Sequence, residues 1–138
     1  MNGTKYVLVE FSQSGLPFET IQELVLKLKT AGWIPVIAHA ERYYKSYSGI
    51  ADVRWLKEQG CKIQINAYSL AGDRKRKVQD LARQMVQEKL ADFLGTDAHR
   101  MFHRPPKVAG GIKELMKIAD IEYVRRIAFQ NAKELLKI

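Results

Sequence analysis

Ile34-Pro35-Val36-Ile37-Ala38 runs without a polar break into His39. An uninterrupted apolar run of this kind reads as a strand covered on both faces, as in a parallel sheet. Pro35 lies near the start, one of the few places where a strand tolerates proline. The same pattern recurs on either side. Tyr6-Val7-Leu8-Val9 ends at Glu10, and Cys61-Lys62-Ile63-Gln64-Ile65 ends at Asn66. Ala91-Asp92-Phe93-Leu94-Gly95 is followed by Thr96 and Asp97, with His99 two residues on.

Between these runs the apolar period changes to that of a helix. After Pro17, suited to a first helical position, Ile21, Leu24, Val25 and Leu28 recur at helical spacing, and Gly32 stops the helix. Ile50, Val53 and Leu56 predict a helix over 48–60, preceded by a polar, aromatic loop over 39–47. Residues 66–72 read as loop. Val78, Leu81, Ala82, Met85 and Val86 predict a helix over 73–89, whose first turns hold Arg74-Lys75-Arg76-Lys77. Four cations are unfavourable at the positive end of a helix dipole, so the run is either a solvated face or an anion-attracting rim. Two helices, near 111–119 and 121–136, close the chain, with Asp120 as the N-cap of the second.

The order is thus four β-α units with an extra C-terminal helix. Such alternation predicts an α/β fold with a parallel sheet and right-handed crossovers. Each unit spans about 30 residues, near the repeat of a (β/α)₈ barrel. The four strands therefore form either a small open sheet or part of a closed barrel. Residues 1–138 show no linker, repeat or composition shift, so one domain is expected.

Composition narrows the class. The chain carries 23 Lys and Arg against 15 Asp and Glu, a net charge of +8, which favours an anionic partner such as a phosphorylated substrate, nucleic acid or a membrane surface. Its 46% apolar content fits a packed domain and argues against disorder. One cysteine, Cys61, excludes an internal disulfide and a Cys-based zinc finger, and fits a reducing, cytoplasmic setting. Cys61 itself opens an apolar strand and reads as core. No apolar run approaches the roughly 20 residues of a membrane helix, and the first residues lack the apolar stretch of a signal peptide.

In a parallel α/β sheet the C-terminal strand ends share one edge, and sites form there. The residues after the four runs are Glu10, His39, Asn66 and Asp97, at spacings of 29, 27 and 31. Carboxylates and imidazoles are the donors of divalent metals; the mixture favours Mn²⁺, Fe²⁺ or Zn²⁺ over the all-oxygen preference of Mg²⁺. Taken singly, Glu10 is an ordinary solvated loop residue, His39 a structural histidine and Asn66 a turn cap. Asp97-Ala98-His99 is the strongest single element. Polar donor types at all four strand ends are harder to explain without a shared site. Arg42 and Arg104 lie in the loops beside them, and guanidinium groups suit bidentate phosphate binding. His103 reads as exposed. No Cys-x₅-Arg loop and no Walker-type glycine loop is present; Ala109-Gly110-Gly111 merely enters a helix.

These stretches resemble a known family. Tyr6-Val7-Leu8-Val9-Glu10-Phe11, Ile37-Ala38-His39-Ala40-Glu41-Arg42-Tyr43, Gln64-Ile65-Asn66-Ala67-Tyr68-Ser69-Leu70-Ala71-Gly72, Leu94-Gly95-Thr96-Asp97-Ala98-His99 and Arg104-Pro105-Pro106 are similar, in order, to the PHP-type protein-tyrosine phosphatases of bacterial capsule and exopolysaccharide operons. The resemblance implies a distorted (β/α)₇ barrel, of which this chain is the C-terminal portion, with no counterpart of the family's His-x-His segment. It implies that Glu10, His39, Asp97 and His99 are metal ligands, usually of manganese. Arg42, in the family's His-Pro-Glu-Arg motif with Ala40 for the proline, and Arg104 would be catalytic and phosphate-contacting, with Asn66 also at the substrate. The partner implied is a phosphotyrosine protein such as a bacterial tyrosine autokinase.

The expected activity is metal-dependent hydrolysis of protein tyrosine phosphate. The alternatives are another PHP-type phosphoesterase, acting on histidinol phosphate or nucleic-acid ends, and a truncated, catalytically inactive remnant. No interleaved aromatic and basic platform supports a nucleic-acid partner. Part of a barrel leaves strand edges open, which predicts a homo-oligomer.

Overall fold

A computed structural model describes residues 1, 3–72, 75–98 and 108–137. Four parallel strands form the sheet: β1 (Tyr6–Val9), β2 (Ile34–Ile37), β3 (Lys62–Asn66) and β4 (Phe93–Gly95). They lie in the order β1-β2-β3-β4, so the chain winds one way and never doubles back. Val9 pairs with Ile37, Ile37 with Ile63, and Ile65 with Leu94. Register partners in a parallel sheet share a face, so these residues make one apolar surface.

Helices cover that surface. α1 (Phe18–Thr30) brings Ile21 and Val25, α2 (Ile50–Glu58) brings Val53 and Leu56, and α4 (Arg76–Gln87) brings Ala82, Met85 and Val86, all packed with Ile37, Ile63 and Ile65 in one core. α5 (Ala109–Ile118) and α6 (Ile121–Arg125) follow β4, and α7 (Asn131–Leu136) ends the chain. Asp120 caps α6 as expected, its carboxylate accepting from the Tyr123 N–H at 2.8 Å. Cys61 is buried, and desolvation pushes its thiol up to about 11. No helix among the described residues is long and apolar enough to cross a membrane.

The structure departs from the sequence reading in four places. The polar loop after β2 is a 3₁₀ turn over Ala40–Tyr43, and its side chains are buried. The segment expected as loop after β3 is the short helix α3 (Ala67–Ala71), closed by Gly72 at φ 91°. Five residues are too few to display a helical period. The fourth strand is shorter than expected, because Asp92 leaves the apolar run to pair with Lys57 and to accept from the Ile63 N–H at 2.8 Å. The expected last helix is interrupted by a π-turn over Arg126–Gln130, which turns Ile127 into the core.

The glycine pair at the start of α5 does more than enter a helix. A Cβ at Gly111 would lie 2.6 Å from the Ala67 Cα, so α5 crosses α3 backbone against backbone. Gly111→Ala should cost about 1–3 kcal/mol, as overpacking does elsewhere. Thermal melts of the two proteins measure this, and an unchanged midpoint would show that the crossing has slack.

Candidate functional site at the strand ends

The C-terminal strand edge gathers the residues expected there. β1 delivers Glu10, whose side chain is 64% exposed. Two residues beyond β2 the chain turns through His39 at φ 37°, and two beyond β4 through Asp97 at φ 49°. Left-handed backbone is uncommon outside glycine, and where it persists the surroundings hold it. Here the His39 N–H donates to the Gln64 Oε1 at 2.7 Å. Gln64 stands on β3, and its amide Nε2 donates to the Asn66 Oδ1 at 2.9 Å and the Ile65 carbonyl at 2.8 Å. A Cβ at Gly95 would overlap that amide, so β4 needs glycine opposite it.

The side chains then fall into two linked pairs. The His39 Nε2 and the Glu10 Oε1 meet at 2.9 Å. The Arg42 Nη1 donates to the Asp97 Oδ2 at 2.9 Å, with side-chain exposures of 8% and 13%. The Tyr68 hydroxyl donates to the same Asp97 oxygen at 2.9 Å and accepts from the Asn66 Nδ2 at 3.3 Å. Asn66 is fully buried, so its side chain orients Tyr68 and meets Gln64. His99, His103 and Arg104 lie outside the described residues.

Beneath the pairs sits a buried carboxyl. The Glu41 Oε1 accepts from the Ser69 hydroxyl at 2.7 Å and the Asn66 N–H at 3.2 Å, tying the 3₁₀ turn to β3 and α3. Its Oε2 is buried with no hydrogen-bond partner. Desolvation pushes this carboxyl up to about 7. The Tyr43 ring packs 5.5 Å from the His39 ring, and its hydroxyl accepts from the Phe11 N–H at 2.9 Å, fastening the turn to the end of β1.

The donor types suit a divalent cation: the Glu10 carboxylate meets the His39 Nε2, where an ion shared by imidazole and carboxylate would sit. The other ring nitrogen, Nδ1, is buried with no hydrogen-bond partner. Among the described residues no three His, Cys, Asp or Glu side chains form a cage; Arg42 and Tyr68 hydrogen-bond Asp97.

Gln64, Tyr68 and Glu41 were not singled out by the sequence reading. Their signal was weak but present. Gln64 is a polar residue inside an otherwise apolar alternation, two positions before Asn66, hence on the same strand face.

A sheet wound in one direction, with His, carboxylate and Arg side chains gathered at its C-terminal edge, defines a parallel α/β protein. The sequence profile described as "Capsular polysaccharide synthesis, CpsB/CapC" matches residues 1–137, and the chain belongs to that family. The tyrosine-protein phosphatase CpsB of Streptococcus agalactiae is 29% identical over 99% of this chain and 58% of its own length. The tyrosine-protein phosphatase YwqE of Bacillus subtilis is 35% identical over 75% of this chain and 42% of its own. One chain from the crystal structures of YwqE from B. subtilis and CpsB from Streptococcus pneumoniae, described as unique metal-dependent tyrosine phosphatases, matches with a TM-score of 0.86 and 31% identity. It covers 99% of this chain and 55% of that one. The chain therefore spans about half the length of the relatives it matches.

Two outcomes test the geometry. Gln64→Leu leaves the His39 N–H unpaired and should cost roughly 1–3 kcal/mol. Gly95→Ala displaces the same amide, so in a double-mutant cycle by urea denaturation the two losses should fall short of their sum; simple additivity would separate Gly95 from the brace. Glu41 predicts a pH dependence. Its folded value lies above the ordinary 4.5, so its contribution to stability is complete below that pH and is lost as pH rises through about 7. Glu41→Gln, neutral throughout, should flatten this slope between pH 4.5 and about 7, by up to about 3 kcal/mol. An identical slope in the variant would assign the carboxyl an ordinary pKa.

Proposed function

We propose that the chain carries the site of a metal-dependent protein-tyrosine-phosphate phosphatase of capsular and exopolysaccharide regulation. The observation that carries this reading is the meeting of Glu10 and His39 at 2.9 Å, with buried Arg42 held by Asp97 at the same strand edge. Glu10, His39 and Asp97, with His99 from outside the described residues, would hold the cation, Mn²⁺ ahead of Fe²⁺, Zn²⁺ and Mg²⁺. Such an ion supplies positive charge to phosphoryl oxygens and lowers the pKa of a water molecule.

The chain's own residues bind and orient. Arg42 is buried and already engaged to a carboxylate oxygen, an anionic acceptor as phosphoryl oxygens also are. Binding of a phosphoryl group would exchange one anion for another at this guanidinium. Arg104 is the second arginine proposed for that role. Asn66 contributes through Tyr68, which holds Asp97 in register with Arg42.

The wider reading follows the same support. Sequential strand order with helices on one face suits part of a PHP-type (β/α) barrel, because a doubly wound sheet would reverse. Among the described residues β1 and β4 have no strand neighbour on their outer sides, which supports a homo-oligomer. The proposed substrate is a phosphotyrosine protein, such as a tyrosine autokinase, in the cytoplasm.

Hydrolysis of p-nitrophenyl phosphate and a phosphotyrosine peptide, with added Mn²⁺ and with EDTA, tests this on protein whose mass is fixed by sedimentation. EDTA and His39→Ala should each abolish turnover, and Arg42→Ala should lower kcat by roughly 10²-fold. Unchanged turnover in His39→Ala would sink the assignment, and a monodisperse monomer would remove the oligomer.

A further inference from the structure

Beside the 3₁₀ turn the strand edge opens into a cleft of about 180 Å³, lined by Gln13, Arg42, Tyr44, Lys45, Lys75 and Val78. None of these is acidic. Lys57, Lys62, Lys89 and Lys117 each pair with a carboxylate, whereas Lys45 and Lys75 make no ion pair with the described residues. Both are exposed, while Arg42 at the inner end is buried and Val78 forms a buried apolar wall. Two ammonium groups unpaired among the described residues thus line one recess together with the Arg42 guanidinium. Lys75 belongs to the basic run 74–77, whose reading as an anion-attracting rim this placement favours.

Size and chemistry limit the occupant. The cleft is smaller than the pockets of about 300–1,000 Å³ that take whole small molecules, and accommodates a side chain. Flexible lysines, unlike a paired arginine fork, supply point charges suited to a single carboxylate. Its continuity with Arg42 places that carboxylate on the same ligand as the group Arg42 binds.

We propose that this cleft is a specificity subsite for an Asp or Glu side chain flanking the phosphotyrosine, read by Lys45 and Lys75. This rests on the phosphotyrosine reading of the adjoining site. Acidic peptides would then be drawn to the site and held in register, while peptides with a flanking lysine would be repelled.

Fluorescence anisotropy with labelled peptides tests it without turnover. Three carry a non-hydrolysable phosphonate analogue of phosphotyrosine flanked by Glu, Ala or Lys; two carry plain tyrosine flanked by Glu or Ala. The Glu-flanked phosphonate should bind about 10-fold tighter than the Ala-flanked one at low salt, and the gap should shrink as salt rises. Lys45→Ala/Lys75→Ala should erase the gap and leave phosphonate-dependent binding, and Lys45→Glu/Lys75→Glu should shift preference to the Lys-flanked peptide. Equal binding by wild type, a preference that survives the double variant, or no binding by any peptide would overturn the subsite. Lysine-dependent preference for Glu over Ala that is the same with phosphonate and with tyrosine would keep the acidic subsite and overturn the phosphotyrosine reading instead.

Discussion

The site depends on how two strands end. After β2 and after β4 the backbone passes through left-handed conformations at His39 and Asp97, neither of them glycine. Such residues cost on the order of 1 kcal/mol or more, and they persist only when neighbours over-determine them. At His39 the determinant is the side-chain amide of Gln64, which accepts the backbone N–H and reaches the next strand position at Asn66. At Asp97 it is the pair of donors from Arg42 and Tyr68. Two of the four described non-glycine residues with positive φ thus sit at this edge, and the residues that brace them sit on neighbouring units rather than on the turns themselves.

Charge is managed by the same layout. Arg42 and Asp97 are both largely removed from water, and a buried pair of this kind is costly to break because it strands one charge. Glu41 shows the opposite case, a carboxyl without a cation that burial makes easier to protonate. One acid that burial makes easier to protonate and one matched pair accompany a 3₁₀ turn of four buried residues, which packs against β3 and α4. The His39 Nδ1, buried without a partner, is the exception.

Much of this was legible in the residues. The four apolar runs, their similar spacing and the polar residue after each predict parallel strands and the shared edge, because period and alternation survive any detail of packing; their order in the sheet came only from the structure. Glu10, His39, Arg42 and Asp97 could be placed at one end for that reason. What the sequence could not show is who pairs with whom. The sequence puts Asp97 at the strand edge but gives no sign that Arg42 and Tyr68 both hydrogen-bond it. It likewise gives no sign that the Asn66 amide meets Gln64 and Tyr68. Gln64 looks like a surface residue because one glutamine in a strand has no local signature. α3 and the π-turn escaped for a similar reason, since short elements are held by tertiary contacts and carry no period of their own.

The Arg42–Asp97 contact joins residues 55 positions apart, across two intervening crossovers. Synthesis proceeds from the N-terminus, so Arg42 leaves the ribosome well before its counter-ion. Until β4 docks, the nascent chain holds a guanidinium that has no carboxylate to neutralise it in an apolar setting. The ion pair at the strand edge therefore forms only once the fourth unit has arrived. Loop-closure entropy makes such non-local pairing slow. The charge balance of this edge is thus a property of four units together and of none alone.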